Sequence, residues 1–380
     1  MLTIFIRENF SKIIPNKNPS ALINVTKTFL PPMDEYISRL KTIWETHWVT
    51  NQGPLTEELE SKLKDYLGVK NLLLVSNGTI ALQIAIKALE LKGEIITTPF
   101  SYVATTTSIL WENCKPVFCD INDKTYCIDA DKIESCITKN TTAIMPTHVY
   151  GFPCDVEKIG MIAAKHNLKV IYDGAHAFGV NIGKDSVFNF GDVSTISFHA
   201  TKLFHTIEGG AIITNDDKLA EKLFLYRAFG HLDDEYFSLG INGRTSEFNA
   251  AMGLCLLPRI GDFIKERKHI NQLYRKYLKD TKLEFPVIPE NIDYNFSYFP
   301  VLFPSENEML SVKKYLSENN INIRRYFYPS LNKLPYVKGN ACPVSESIAS
   351  RIACLPVYQE LGEADVKKIS GLIKEFLNSK

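Results

Sequence analysis

Between residues 71 and 214 one pattern repeats: a short apolar run rich in branched side chains, a polar or glycine-containing turn, then a stretch with helical spacing. The runs fall at residues 71–75, 94–98, 116–120, 142–146, 168–172, 193–196 and 211–214. Unbroken apolar runs of this length suit strands buried on both faces, and helical connections between them suit parallel neighbours. The expected fold is therefore α/β with a mainly parallel sheet. Ahead of the first strand, residues 34–48 put Tyr36, Ile37, Leu40, Ile43 and Trp44 on one helical face. Residues 55–66 do the same for Leu55, Leu59, Leu63 and Tyr66, with Gly68 as the stop signal. Beyond about residue 262 the rhythm changes. A long polar helix (263–279), apolar runs at 298–302 and 321–323, a helix at 306–318 and an amphipathic terminal helix predict a smaller α+β domain. The chain thus divides into an N-terminal extension (1–22), a large domain (23–262) and a small C-terminal domain (263–380).

Charge narrows the partners. Lys plus Arg and Asp plus Glu both number 43, so the net charge is zero and no global field draws nucleic acid or an anionic membrane. An anionic ligand must then be held by a local site. No apolar stretch is long enough to span a bilayer. The eight cysteines form no CxxC pair and no Cys/His pattern, so reduced thiols and no bound metal are expected. The opening MLTIFIRENF is too short an apolar run for a signal peptide and is broken by Arg7 and Glu8, so a cytoplasmic location is expected.

The polar residues worth attention lie just past the apolar runs, where open α/β sheets bind their ligands. After the first run comes Ser76-Asn77-Gly78-Thr79 and a helix. This junction can aim free backbone N–H groups at a phosphate, although any strand-to-helix turn favours such residues. Tyr102 follows the second run and offers either a stacking face or a core ring. Asp173 ends the fifth, where a buried carboxylate needs a partner such as a protonated pyridine nitrogen. His176, three residues on, can donate to a ring oxygen or serve the structure. Past the sixth run, SFHATKLFHTIEGG holds Ser197, Lys202 and the pair Gly209-Gly210, whose lack of side chains lets backbone approach a bound ring. Lys202 is a candidate Schiff-base lysine. Asn51 and His148 sit in turns that either line a pocket or merely connect elements. Together, a phosphate cup, an aromatic plate, an acid and a lysine are what pyridoxal 5'-phosphate requires of a protein that uses it for amino transfer.

The blocks TNQGPLTEELE, SNGTIALQIAIKAL, ITTPFSYVAT, KPVFCDI, HVYG, DGAHAFG, SFHATKLFHTIEGGAI, GINGRTSEFNAAMGL, RRYFYP and CLPVY stand in one order along the chain. In this the sequence resembles the DegT/DnrJ/EryC1/StrS family of sugar-nucleotide aminotransferases. The resemblance implies the aspartate aminotransferase-like type I fold, with a mainly parallel seven-stranded sheet. It implies that Lys202 carries the cofactor and moves the proton, and that Asp173 pairs with the ring nitrogen. Tyr102 would stack on the ring, Gly78, Thr79 and Ser197 would hold the phosphate, and His176 would lie near the ring hydroxyl. Asn242, in GINGR, would reach the phosphate in a neighbouring subunit, implying a homodimer with shared sites. A branch of the family has histidine in place of the lysine and dehydrates sugars, so Lys202 points to transamination. The implied substrates are L-glutamate and a nucleotide-linked keto-sugar. INVTK, TNQGP, ITTPFSYVAT, SFHATK and GINGR are most similar to enzymes that aminate C4 of dTDP-4-keto-6-deoxyglucose. Amination at C3, a UDP- or GDP-linked sugar, or a non-catalytic binding or regulatory role are the alternatives. Arg325 and Tyr326 are the residues expected to meet the diphosphate or the sugar.

Overall fold

The computed structural model describes residues 22–288 and 290–378. The expected extension at 1–22 lies outside them except for its last residue. Helices α1 (Met33–Thr46) and α2 (Pro54–Leu67) come first. Pro54 opens α2, and Gly68 closes it at a left-handed φ of 61°, a conformation glycine adopts without steric penalty.

Seven strands follow: β1 (Asn71–Val75), β2 (Glu94–Thr97), β3 (Lys115–Phe118), β4 (Thr141–Met145), β5 (Lys169–Asp173), β6 (Val193–Ser197) and β7 (Gly210–Thr214). They form one sheet in the order β1-β7-β6-β5-β4-β2-β3. The pairs β2/β3, β2/β4, β4/β5 and β5/β6 are parallel, whereas β7 is antiparallel to both β6 and β1. The sheet is thus parallel apart from one reversed strand. Helices α3 (Gly78–Ala88), α4 (Val103–Trp111), α5 (Ala130–Cys136), α6 (Val156–His166) and α7 (Asp217–Arg227) alternate with the strands. Side-chain alternation fills both faces. Ala211 and Ile213 of β7 join the core beneath α2 and the helix α8 (Glu247–Leu256), while Ile212 joins the core beneath α3 and α7.

The chain then enters α9 (Ile260–Leu278) and a second layer. Strands β8 (Phe299–Leu302) and β9 (Ile352–Leu355) pair antiparallel, with α10 (Glu306–Glu318), α11 (Pro343–Arg351) and α12 (Glu363–Asn378) around them. Their core gathers Ile270, Tyr274, Phe299, Val312 and Ile369. The expected division at residues 262 and 263 falls inside α9, which runs unbroken through it.

Two sequence expectations need correction. The run 321–323 forms no strand. Ile321 makes one isolated bridge, to Ile23, and Arg324, just past the run, makes another to Cys354, so no ladder builds. The apolar face of α1 is only partly inward: Ile43 is buried, while Trp44 is 65% exposed and Ile37 43% exposed. The helix lies at the rim of the molecule, where one stripe finds the core and the other faces out beside Met33, Trp48 and Val49.

Candidate functional site

A cavity of about 600 Å³ opens where β1, β2, β5 and β6 reach their carboxyl ends, with Tyr298, Arg324, Tyr326 and Phe327 from the later part of the chain as its far wall. That volume suits a cofactor together with part of a substrate. Asp173, His176, Ser197, Lys202, Tyr102, Gly78, Thr79 and Tyr326 all line it, so one space unites eight of the residues singled out from the sequence.

The phosphate cup is the first turn of α3. Asn77 caps that helix by accepting from the backbone N–H of Ile80 at 2.9 Å, and its carbonyl takes the N–H of Ala81. The N–H groups of Gly78 and Thr79 remain for a ligand, at the positive end of the helix dipole. A Cβ on residue 78 would stand 3.0 Å from Ser197 Cβ, so glycine there is what lets the hydroxyl of Ser197 share the cup. Gly210 is needed for another reason than the one expected. Its Cβ would fall 2.7 Å from the carbonyl carbon of Asn77 and 2.8 Å from the nitrogen of Gly78. The glycine admits neighbouring backbone, not a ring, and so sets the reversed strand against the cup.

Asp173 ends β5 in a buried position. Its Oδ2 accepts from Thr105 Oγ1 at 2.7 Å and its Oδ1 from the N–H of Ala175 at 3.1 Å. Ser101 lies 2.8 Å from Thr105 and accepts from Thr147 at 3.2 Å, which extends the network into the core. Burial pushes the Asp173 carboxyl upward; the Thr105 and Ala175 hydrogen bonds and the nearby Lys202 oppose that shift. A cation at the cavity would complete the opposition. Sequence reasoning missed Thr105, although it stands three residues after Tyr102, one turn into α4, inside the block ITTPFSYVAT.

Lys202 sits in the loop 198–209 that joins β6 to its reversed neighbour. The N–H of Phe198 bonds to Gly209 and that of Thr206 to Phe198, closing the loop's base. Ile207 holds a φ of 67°, an outlier for a branched residue that costs on the order of 1–3 kcal/mol. His205 holds the strained turn by accepting the Ile207 N–H through Nδ1 and meeting the Phe29 carbonyl through Nε2 at 2.8 Å. Burial lowers the Lys202 ammonium to about 8; the Asp173 carboxylate opposes the shift and the Arg324 guanidinium adds to it. Its Nζ lies 3.4 Å from the hydroxyl of Tyr298, a residue that no motif singled out.

His176 is buried and stacks on Phe327, with centroids 5.4 Å apart. Burial holds its imidazolium well below the usual range, with help from the Lys202 charge. Its Nδ1 accepts from the N–H of Tyr150, so the neutral ring carries its proton on Nε2. Tyr102 is half-exposed at the start of α4, on the cavity wall.

Three residues expected at the cavity fall elsewhere, and Asn242, expected at a neighbouring subunit's phosphate, lies outside the cavity of its own chain. Arg325 points away: its Nη2 meets Glu306 at 2.6 Å and the carbonyl of Ser350 at 2.8 Å. The cavity takes Arg324 instead, lying over the Tyr326 ring at 4.7 Å. His148 is fully buried, stacked on Tyr172 at 4.7 Å, and its Nδ1 accepts from the N–H of Cys154. Burial lowers its imidazolium to about 3, so it is a neutral core ring. Asn51 and Asn242 lie outside the cavity of their own chain, on strips joined by the bridge between Thr50 and Ser246. Among the described residues, no cluster of His, Cys, Asp and Glu could hold a metal ion, and no helix is long and apolar enough to cross a membrane.

A sheet with a single reversed strand, and an amine and a carboxylate converging at its carboxyl edge beside an anion-binding helix end, mark the pyridoxal phosphate-dependent aminotransferases. The solved structure of DesI in the presence of its TDP-sugar product superposes with a TM-score of 0.89 at 28% identity, covering 93% of each chain. Residues 33–374 match the model of the DegT/DnrJ/EryC1/StrS aminotransferase family, and the chain belongs to that family. The dTDP-4-amino-4,6-dideoxy-D-glucose transaminase of Shigella dysenteriae is 46% identical over 93% of this chain and 98% of its own length. The enzyme of the same name from Escherichia coli is 42% identical over 92% of this chain and 98% of its own length. Pyridoxal phosphate is the cofactor of this family, and the free N–H groups, the buried acid and the enclosed amine described above fit it.

Proposed function

We propose that this protein transfers an amino group from L-glutamate to C4 of dTDP-4-keto-6-deoxy-D-glucose, giving dTDP-4-amino-4,6-dideoxy-D-glucose. The convergence of Lys202 and Asp173 on one cavity carries the enzymatic reading. The choice of sugar and carbon is supported by the 46% identity to the transaminase of that name.

Bound pyridoxal phosphate supplies an aldehyde for an amine to capture and a ring that takes up the electron pair left when a neighbouring carbon loses its proton. Lys202 would hold that aldehyde, and its Nζ, when free, would take up and return the proton of the substrate carbon. Burial lowers its ammonium to about 8, so the free amine gives up its proton more readily than an exposed lysine does. Asp173, its oxygens fixed by Thr105 and Ala175, would keep the ring nitrogen protonated. His176 would donate from Nε2 to the ring oxygen. Gly78, Thr79 and Ser197 would hold the phosphate, and Tyr102 would cover the ring. Arg324, the guanidinium that lines the cavity, would bind the carboxylate of the amino donor. Tyr326 faces the sugar.

The protein is also read as a cytoplasmic homodimer with shared sites. All eight cysteines are free thiols, as a reducing compartment favours. Trp44 and Trp48, and on the other strip Phe229, Phe237, Leu239 and Ile241, are exposed near Asn51 and Asn242. Apolar surface of that kind suits a second copy, whose cavity those two asparagines would then reach. The test is to offer purified protein glutamate with dTDP-, UDP- and GDP-linked keto-sugars and locate the new amine by NMR. A C3 amine refutes the C4 assignment. No transfer, and no near-visible absorbance with excess cofactor, favours a non-catalytic role.

A further inference from the structure

Tyr298 reaches the cavity from the small-domain side, just ahead of β8, and its hydroxyl is 3.4 Å from Lys202 Nζ. Several bonds fix the stretch that carries it. Asn295 donates through its amide to the carbonyls of His176 and Phe178 at 2.9 and 3.0 Å. The buried Arg267 donates from Nη1 to the carbonyl of Ser297 at 3.1 Å, and Tyr274 and Ile270 bury the helix that presents it. The ring of Tyr298 then stands edge-on to His176 at 5.1 Å and to Tyr326 at 5.9 Å. Such packing leaves the hydroxyl little freedom. Burial also pushes its phenol upward, so Tyr298 stays a neutral hydroxyl able to accept from an ammonium or donate to an amine.

Lys202 has a flexible four-carbon stem, and the proton transfers need its nitrogen at one place in the cavity. We propose that Tyr298 is a positioning residue for the proton shuttle: its hydroxyl, anchored through Asn295 and Arg267, holds the free Lys202 amine toward the reacting carbon. The other charged or titratable groups lining that cavity are Asp173 at the end of β5, His176 beyond it, Tyr102 before α4, His199 and Glu208 in the loop that carries Lys202, and Arg324 and Tyr326 from the far wall; His199 and Glu208 face each other at 3.5 Å. Of these, Asp173 has its own partners in Thr105 and Ala175, and Arg324 is a cation that repels the ammonium. Tyr298 is the neutral group in hydrogen-bond reach.

The inference rests on the reading of Lys202 given above. Its test uses Tyr298→Phe, which keeps the ring packing and removes one oxygen. Full-length enzyme stripped of cofactor is mixed with pyridoxal phosphate across a range of pH, and the rate of capture at Lys202 is followed by absorbance and by borohydride fixation. The hydroxyl bonds to both forms of the amine, but the bond to the ammonium is charge-assisted and the stronger, so the variant's midpoint should fall by roughly half a pH unit below that of the wild type. Reconstituted enzyme should lose about tenfold in kcat with KM for both substrates within about twofold. It should also show a larger deuterium isotope effect with α-deuterated glutamate. An unmoved midpoint, or an unmoved kcat and isotope effect, overturns the inference while leaving Lys202 in its role. A wild type that is not fixed at Lys202 overturns both.

Discussion

Asp173→Asn keeps the shape of the side chain and removes its charge. In the wild type, Oδ2 accepts from Thr105 and Oδ1 from the N–H of Ala175. Asparagine can still accept from Ala175, and its amide can donate to the Thr105 hydroxyl once that hydroxyl turns, so the fold persists. What disappears is the anion that keeps the cofactor ring nitrogen protonated. Removing one member of a buried charge pair costs about 3–5 kcal/mol. At 1.4 kcal/mol per decade, kcat should fall between roughly 10²- and 10⁴-fold. Cofactor affinity should weaken far less, because the cup at Gly78, Thr79 and Ser197 and the amine of Lys202 are untouched.

Without cofactor the sign reverses. Burial raises the Asp173 carboxyl, so the folded state binds its proton more tightly than the unfolded chain does. That contribution to stability is fully present below the unfolded carboxylate value and is lost as pH rises through the raised folded value. The cofactor-free variant should therefore melt at the same or a higher temperature than wild type at neutral pH, with a smaller gain on adding cofactor. Steady-state kinetics at saturating cofactor, absorbance titration and paired melts measure all three. A kcat within about threefold of wild type at full occupancy would falsify the role given to the acid.

Other perturbations reach other parts of the site. Gly210→Ala drives a methyl within 2.8 Å of three backbone atoms of Asn77, Gly78 and Ile196, and should destabilise the cofactor-free protein by about 1–3 kcal/mol. Urea unfolding reads this, and an unchanged midpoint contradicts the close-approach argument. Arg324→Gln should raise KM for glutamate roughly 10- to 100-fold, the equivalent of one charge-assisted contact. Arg325→Gln should leave that KM within about twofold, because its guanidinium serves Glu306 and Ser350; the reverse ranking would return the anion to Arg325. Trp44→Glu places a charge in the exposed apolar strip and should convert a dimer into monomers in sedimentation experiments, whereas a wild type already monomeric refutes the proposed assembly.

Most of the large domain was legible because its information is local. Residues 71–75 read as a strand and are one, and the helix expected after Gly78-Thr79 follows as Gly78–Ala88. The ends of such strands are where ligands gather, so Asp173, Ser197 and Lys202 could be placed before any coordinates. Residues whose role depends on a distant surface were not legible. Arg324 and Arg325 are neighbours, and an extended backbone sends neighbouring side chains to opposite sides. Nothing nearby in the sequence says which side is the cavity; Glu306 and the wall of the large domain decide it. His148 follows a strand as Asp173 does, yet the chain turns it onto Tyr172, inside the core.

The sequence by itself determined the strands, the helices between them and the chemistry at the strand ends, since hydrophobic period and turn residues act over a few positions. Tertiary structure alone decided that β7 runs backward, that α1 keeps Trp44 outside, and that Tyr298 meets Lys202 across 96 residues of chain. Those outcomes depend on which distant surfaces remove most apolar area from water while leaving each polar group a partner, a sum over the whole molecule that no short window contains.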